Sequence, residues 1–301
     1  MRDYKAKRFR ELLGGEGTLL RPCAYDALSA IIIEKAGFLV VGTTGYGISA
    51  SLIGQPDMGF VDFSSMLERA RTIVNAISAP LDVDVDTGYG NELNVNWAVR
   101  NFIRVGVASV RIEDQVWPKR CGHMEGKSVI PCDAMVRKII AAVRARDEEG
   151  CDIVLGARTD ARGPEGLEAT LERATAYARA GADYVYVEAP QSLDEIKLLK
   201  KEVPVPLALN VIPGGSMPNL SIDELEEVGV DFLSIPMIAL YPAAKAMQEA
   251  LEILRDQRDL AAVGQLGVSW AEFNEIVGFE GWSVLESELA GGVRDVDSRT
   301  R

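Results

Sequence analysis

Short apolar, β-branched runs alternate along this chain with stretches of helical period. The runs fall at about residues 18–22, 37–42 (GFLVVG), 79–84 (APLDVD), 107–112 (VASVRI), 152–157 (DIVLGA), 183–188 (DYVYVE), 205–210 (VPLALN) and 230–235 (VDFLSI). Between them lie amphipathic segments such as ALSAIIIEKAG, FSSMLERARTIVNAI, VNWAVRNFIRVG, DAMVRKIIAAVRARDEEG and LEATLERATAYARAG. Several end on a glycine just before the next run, a helix-stop signal. Strand–helix alternation of this kind predicts a parallel sheet. Eight units with no break in composition predict a closed (β/α)8 barrel of the TIM type rather than an open sheet. Such barrels fold as one domain, so the 301 residues read as a single domain. The barrel spans about 15–257, with a helical extension at about 258–290 and a flexible tail at 291–301. The helices after the eighth run exceed what a barrel needs and suit the covering of a neighbouring subunit.

Composition narrows the chemistry. A net charge of −13 argues against nucleic acid and anionic membranes as partners. It does not argue against an anionic substrate, because a divalent cation and local Arg or Lys reverse the sign inside a site. No apolar run reaches the length of a membrane span, and MRDYKAKRFRELL reads as a charged helix rather than a signal peptide, so a cytoplasmic location is expected. Cys23, Cys121, Cys132 and Cys151 form no C-x-x-C pair, which excludes a disulfide framework and a zinc site. The single histidine, His123, excludes a histidine-rich metal site and lies outside any G-x-S-x-G elbow. Acid–base work falls to carboxylate, Cys, Lys, Tyr or metal-bound water.

In barrels the site lies at the C-terminal ends of the strands. Run three ends in Asp84-Val85-Asp86-Thr87-Gly88. Alternation turns Asp84 and Asp86 to the same side, with Asp82 one layer deeper. Oxygen-only ligands suit Mg²⁺ or Mn²⁺; the alternative is a capped strand end with solvated aspartates. Run four offers Glu113, either holding metal-bound water or pairing with Arg111 or Lys119. Run five offers Arg158, suited to bidentate carboxylate binding. Runs six and seven end in Glu188 and Asn210. The Gly- and Lys/Arg-rich loop from Trp117 to Lys127 suits closure over a substrate. Cys121 sits there between Arg120 and His123, company that favours the thiolate; the alternative is an incidental cysteine. Gly45-Tyr46-Gly47-Ile48-Ser49-Ala50 fits G-x-G-x-x-A, but Pro56 follows before any long helix, so a carboxylate cradle of backbone N–H groups is preferred to dinucleotide binding.

Lys119-Arg120-Cys121-Gly122-His123 resembles the K-[KR]-C-G-H signature of the isocitrate lyase and phosphoenolpyruvate mutase superfamily. Ala24 to Ala30, Thr44-Gly45-Tyr46-Gly47, Pro56-Asp57-Met58-Gly59, Asp84 to Gly90, Glu113-Asp114-Gln115, Ala157 to Asp160 and Glu188-Ala189 extend the resemblance over roughly residues 5–290. It implies a Mg²⁺-dependent α/β barrel, a homotetramer whose C-terminal helices swap between paired subunits, and a small anionic 2-oxyacid substrate. By motif position Asp84 and Asp86 bind the metal, and Asp57 and Glu113 act on it through water. Thr44, Gly45, Tyr46, Asp57, Cys121, Gly122, Arg158, Glu188 and Asn210 form the substrate pocket. Cys121 is the acid–base of the closing loop, and Lys119, His123, Glu113 and Arg158 complete the catalytic set.

Cys121 favours C–C bond lyases or a carboxyphosphonoenolpyruvate phosphonomutase, and TGYG with VEAP is most similar to the 2,3-dimethylmalate lyase group. Methylisocitrate lyases carry an Arg where this chain has Trp270. The resemblance therefore implies a lyase cleaving a substituted malate, such as 2,3-dimethylmalate or a methylisocitrate-like acid, to pyruvate and a carboxylic acid. The alternatives are the phosphonomutase and an oxaloacetate hydrolase. Pro213 and Met217 stand where the family has polar residues, and are expected near the distal end of the substrate.

Overall fold

The computed structural model describes residues 2–120, 126–212, 214, 217, 218 and 220–298. The chain forms two compact units, one up to Leu240 and one from Tyr241 onward.

The first unit is a closed barrel of eight parallel strands in chain order. They are β1 (Leu19–Ala24), β2 (Val41–Thr43), β3 (Leu81–Asp84), β4 (Ser109–Glu113), β5 (Val154–Thr159), β6 (Tyr184–Val187), β7 (Leu207–Asn210) and β8 (Phe232–Ile235). Its helices are α1 (Arg2–Leu13), α2 (Ala27–Lys35), α3 (Gly45–Ile53), α4 (Phe63–Ala76), α5 (Glu92–Val105), α6 (Cys132–Glu149), α7 (Gly166–Arg179), α8 (Leu193–Glu202) and α9 (Ile222–Glu227). Each expected run contains a strand, but the strands begin later than the apolar pattern does. The acids at the start of two runs stay outside the ladder and cap it: Asp183 accepts the backbone N–H of Leu155 (2.8 Å), and Asp231 that of Leu207 (2.7 Å). Gly106 and Gly150 end α5 and α6 in the left-handed region, as their stop signals predict (φ 90° and 59°).

Two apolar clusters follow from strand alternation. Outward residues such as Val83, Val110, Val185 and Leu209 pack against the helices. Inward residues Val40, Ala108, Val154, Tyr184, Ala208 and Phe232 fill the barrel, and α1 adds Phe9 and Leu13 to them. Phe9 meets Phe232 edge-on with ring centroids 5.7 Å apart.

The apolar fill gives way to buried charge. Arg21 of β1 is fully buried, pairs with Asp82 of β3 and donates to the Ser234 hydroxyl (2.7 Å). Asp82 also meets Arg111 Nη1 at 3.3 Å and accepts from the Tyr184 hydroxyl at 3.1 Å. Arg111 reaches upward to Asp84 (3.0 Å) and lies over the Tyr186 ring (4.6 Å). Two strand glycines make room. A Cβ on Gly42 would stand 2.8 Å from Cys23 Sγ and 2.9 Å from the Arg21 side chain, and one on Gly156 would stand 2.2 Å from Tyr184 Cζ.

The second unit holds α10 (Leu240–Gln257), α11 (Leu260–Gly264), α12 (Trp270–Ile276) and α13 (Phe279–Ser298). The barrel was expected to run to about 257; its compact unit ends at Leu240, and α10 lies in the second. Helix α13 continues through Gly291-Gly292 to Ser298, past the expected end of the extension at about 290. A glycine inside a helix costs only about 1 kcal/mol, so the pair weakens the helix without stopping it.

Two stability predictions follow. Asp82→Ala removes the buried carboxylate that pairs with Arg21 and leaves Arg111 with Asp84 alone, and is expected to lower unfolding free energy by about 3–5 kcal/mol, read by chemical denaturation. Gly156→Ala is expected to cost about 1–3 kcal/mol by overpacking the interior. An unchanged denaturation midpoint in either variant would refute that reading of the interior.

Candidate active site

A small cavity opens at the C-terminal ends of the strands. Thr44, Gly45, Tyr46, Asp57, Asp84, Glu113, Lys119, Arg158 and Asn210, all named from sequence, line it together. Cys121, Gly122 and His123 lie outside the described residues, as does Pro213. Met217 does not line the cavity; it is buried in the apolar shell between strands and helices. The apolar part of the wall comes from Ile212, Pro236 and Met237. Trp270 belongs to the second unit and is 84% exposed.

The GYGISA segment is helical. It opens α3 directly after β2, Thr44 caps it by accepting the Gly47 N–H, and Gly54 ends it before Pro56. The first N–H groups of a helix have no intrahelical acceptor and favour an anion. Gly45 and Tyr46 bring that end to the cavity wall. Gly45 also lets Asp57 approach, since a Cβ there would stand 3.1 Å from Asp57 Oδ2.

Asp84 ends β3 and faces Arg111. Asp86 does not continue the alternation, because its backbone is left-handed (φ 49°) and the strand has ended. The turn instead carries its carboxylate to Lys119. The buried Lys119 ammonium stands 2.7 Å from Asp57 Oδ2 and 2.7 Å from Asp86 Oδ1. Glu113 pairs with neither Arg111 nor Lys119 within 4 Å; its Oε2 lies 3.6 Å from Arg158 Nε. Among the described residues its buried Oε1 has no hydrogen-bond partner. Glu188 does not line the cavity and meets Arg158 Nη2 at 3.2 Å.

Asp160, which the sequence places in the Ala157 to Asp160 motif without a role of its own, is the partner of Arg158. It grips Arg158 Nε and Nη2 at 2.8 and 2.9 Å. Arg111, Tyr186 and Ser234 also line the cavity unforeseen. Each stands two residues from a named or inward position on its strand, so the same alternation that found Glu113 and Glu188 points to Arg111 and Tyr186.

The electrostatics are those of carboxylates short of positive charge. Burial pushes Asp86 up to about 6, helped by Asp84 and Asp57 and opposed by Lys119. Burial likewise drives Glu113 well above the usual carboxylate range, against the pull of Arg158 and Lys119. Asp84 is also buried, yet Arg111, Lys119 and Arg158 hold it below the usual range. Burial acts to lower Lys119, but Asp86, Asp57 and Glu113 raise it well above an ordinary lysine.

These residues fit a hard divalent cation. The donors are all carboxylate oxygens, and the ammonium of Lys119 marks where they demand positive charge. Among the described residues no three carboxylate, cysteine or histidine side chains form a closed metal cage.

Comparison with known proteins gives the same picture. Residues 9–255 match the family described as phosphoenolpyruvate phosphomutase. The chain is 40% identical to the 2,3-dimethylmalate lyase of Eubacterium barkeri, over 95% of this chain and 99% of that one. The solved oxaloacetate acetylhydrolase in complex with 3,3-difluorooxalacetate superposes with a TM-score of 0.89 at 34% identity, covering 96% of this chain and 97% of that chain. Phosphonopyruvate hydrolase, solved with oxalate and Mg²⁺, superposes with a TM-score of 0.84 at 28% identity, covering 94% of this chain and 98% of that chain. The barrel, the strand-end carboxylates and these matches together make the chain a member of the phosphoenolpyruvate mutase family, within the isocitrate lyase superfamily of enzymes.

Proposed function

We propose that this protein is a Mg²⁺-dependent carbon–carbon lyase that cleaves a substituted malate, with 2,3-dimethylmalate as the first candidate, into pyruvate and a carboxylic acid. The observation that carries the reading is one cavity in which an anion-binding helix end and Arg158 face carboxylates gathered around a cation. The identity to a 2,3-dimethylmalate lyase along nearly the whole of both chains supports the substrate class.

Asp84 and Asp86 would hold the metal, with Asp57 and Glu113 acting on it through water. When bound, Mg²⁺ stabilises negative charge developing on the 2-oxyacid oxygen. The chain's own groups do the rest. The helix end at Thr44, Gly45 and Tyr46 receives the carboxylate of the pyruvyl half, and Arg158 and Asn210 orient it. Glu113 takes the C2 hydroxyl proton as C2–C3 breaks, which turns the hydroxyl carbon into the keto carbon of pyruvate and leaves an electron pair on C3. Cys121 Sγ–H donates the proton there, Lys119 and His123 complete the acid–base set, and Gly122 contributes to substrate binding. Ile212, Pro236 and Met237 give the cavity an apolar wall, which suits alkyl substituents on the substrate.

Oxaloacetate hydrolysis is the second reading, favoured by the close superposition on the acetylhydrolase. It replaces pyruvate release with oxalate and acetate. Formation of a P–C bond from carboxyphosphonoenolpyruvate is the third and is separated by phosphorus NMR. As a member of this superfamily the enzyme is proposed to work in the cytoplasm as a homotetramer with exchanged C-terminal helices. Trp270 and Trp282, 84% and 70% exposed in the single chain, support an association through the second unit. Among the described residues no helix is long and apolar enough to cross a membrane.

Pyruvate release from 2,3-dimethylmalate, followed with lactate dehydrogenase, is expected with Mg²⁺ and is expected to stop on chelation. Cys121→Ser is expected to lower kcat by about 10²–10⁴-fold, the usual worth of a positioned acid. Full activity without that sulfur, or no keto acid from any alkylmalate, rejects the mechanism. Sedimentation at micromolar concentration is expected to give the mass of four chains, and a monomer would exclude helix exchange.

A further inference from the structure

Three consecutive residues at the end of β4 hold three different parts of the molecule. Glu113 approaches Arg158. The side-chain amide of Gln115 clamps the Arg120 backbone, donating to its carbonyl and accepting from its N–H, both at 2.9 Å. Asp114, between them, is fully buried and does not line the cavity. It accepts from the backbone N–H of Asp160 (2.9 Å), the Thr159 hydroxyl (2.8 Å) and the Tyr177 hydroxyl (2.7 Å), and Arg173 Nη1 lies 3.4 Å away. A carboxylate with its acceptor sites this fully used is a rigid mount. What it mounts is the turn carrying Asp160.

Asp160 in turn carries two cations. It takes the Nε/Nη2 edge of Arg158 in a bidentate grip, and with Glu188 Oε2 3.2 Å from Nη2 this sets the plane of the guanidinium and the direction in which Nη1 points. The same Oδ1 accepts from Lys127 Nζ at 3.0 Å. Lys127 ends the segment that begins at Lys119 and contains Cys121. The near end of that segment is fixed by the pairing of Lys119 with Asp57 and Asp86 and by the Gln115 clamp. The far end is fixed by Asp160. Its stem is short and regular: the Val116 N–H bonds to the Ser128 carbonyl and the Ile130 N–H to the Asp114 carbonyl, both at 2.8 Å. The Lys127–Asp160–Arg158 bridge is buried, with side-chain exposures of 9%, 0% and 8%. It therefore escapes the screening that makes surface pairs weak.

We propose that Asp160 is a positioning residue for the reaction, joining the end of the Cys121-bearing segment to the cavity arginine, with Asp114 as its brace. Lys127 and the guanidinium of Arg158 are then positioned by one and the same carboxylate. The proposal deepens the lyase reading and rests on it only for the probe ligand, oxalate with Mg²⁺.

Calorimetry with Mg²⁺ and oxalate on the full-length enzyme tests the link. Lys127→Met and Asp160→Asn are each expected to weaken oxalate about 10-fold, the lower end for residues that hold a ligating group in place. The double variant is expected to bind no more weakly than Asp160→Asn, because Lys127 acts through Asp160. Lys127→Arg is expected to restore binding, a rescue that general destabilisation does not give. Multiplying losses in the double variant, or wild-type affinity in Lys127→Met, overturns the proposal. A second measurement needs no ligand. Amide exchange at Ile130 is expected to quicken in Lys127→Met and to stay unchanged in Asp133→Asn, whose exposed partner is Arg137. Unchanged exchange in Lys127→Met overturns the proposal by itself. Should the wild type not bind oxalate, the lyase reading falls while the exchange result still decides this one. Should Asp160→Asn not fold, the Lys127 variants decide alone.

Discussion

Asp82 sets the terms for everything above it. Two guanidinium groups, from Arg21 and Arg111, meet on one carboxylate inside a closed sheet, where an uncompensated charge is several kcal/mol too costly to keep. Arg111 then passes the constraint upward to Asp84, and Asp84 stands at the floor of the cavity. The site is thus the top of a column of alternating charge rather than a set of polar groups on a neutral barrel. Each residue in the column is placed by the one below it, which is how a flexible carboxylate comes to have one orientation.

At the rim the alternation runs short of cations. Lys119 serves both Asp57 and Asp86, and Arg158 serves Asp160, Glu188 and Glu113. A barrel mouth with this imbalance favours a divalent ion over a neutral ligand, even though the whole chain is acidic. The helix end after β2 and Arg158 border the same carboxylates: a Cβ on Gly45 would stand 3.1 Å from Asp57 Oδ2, and Arg158 Nε lies 3.6 Å from Glu113.

The barrel was legible because strand alternation and glycine stops are local signals, and the eight runs carry both. The site was legible where a polar group ends a strand, as with Asp84, Glu113, Arg158 and Asn210. Asp86 shows the limit. It was placed with Asp84 by counting along a strand that had already ended, and a left-handed turn brought it to the site by another route. Asp160 shows a second limit: its role depends on Lys127 and Asp114, far apart in sequence, and no periodicity encodes such a pairing. Helix α3 was missed as a helix because nine residues between a threonine cap and a glycine stop give little period to read.

The glycines at 42 and 156 carry a consequence for how this enzyme could diverge. They admit one particular arginine and one particular tyrosine, so the lower barrel tolerates change only through several coordinated replacements. Ile212 and Met237, on the segments after β7 and β8, answer to no such fit. A change of cavity shape is therefore expected to be tolerated at Ile212 and Met237 more readily than at the two glycines.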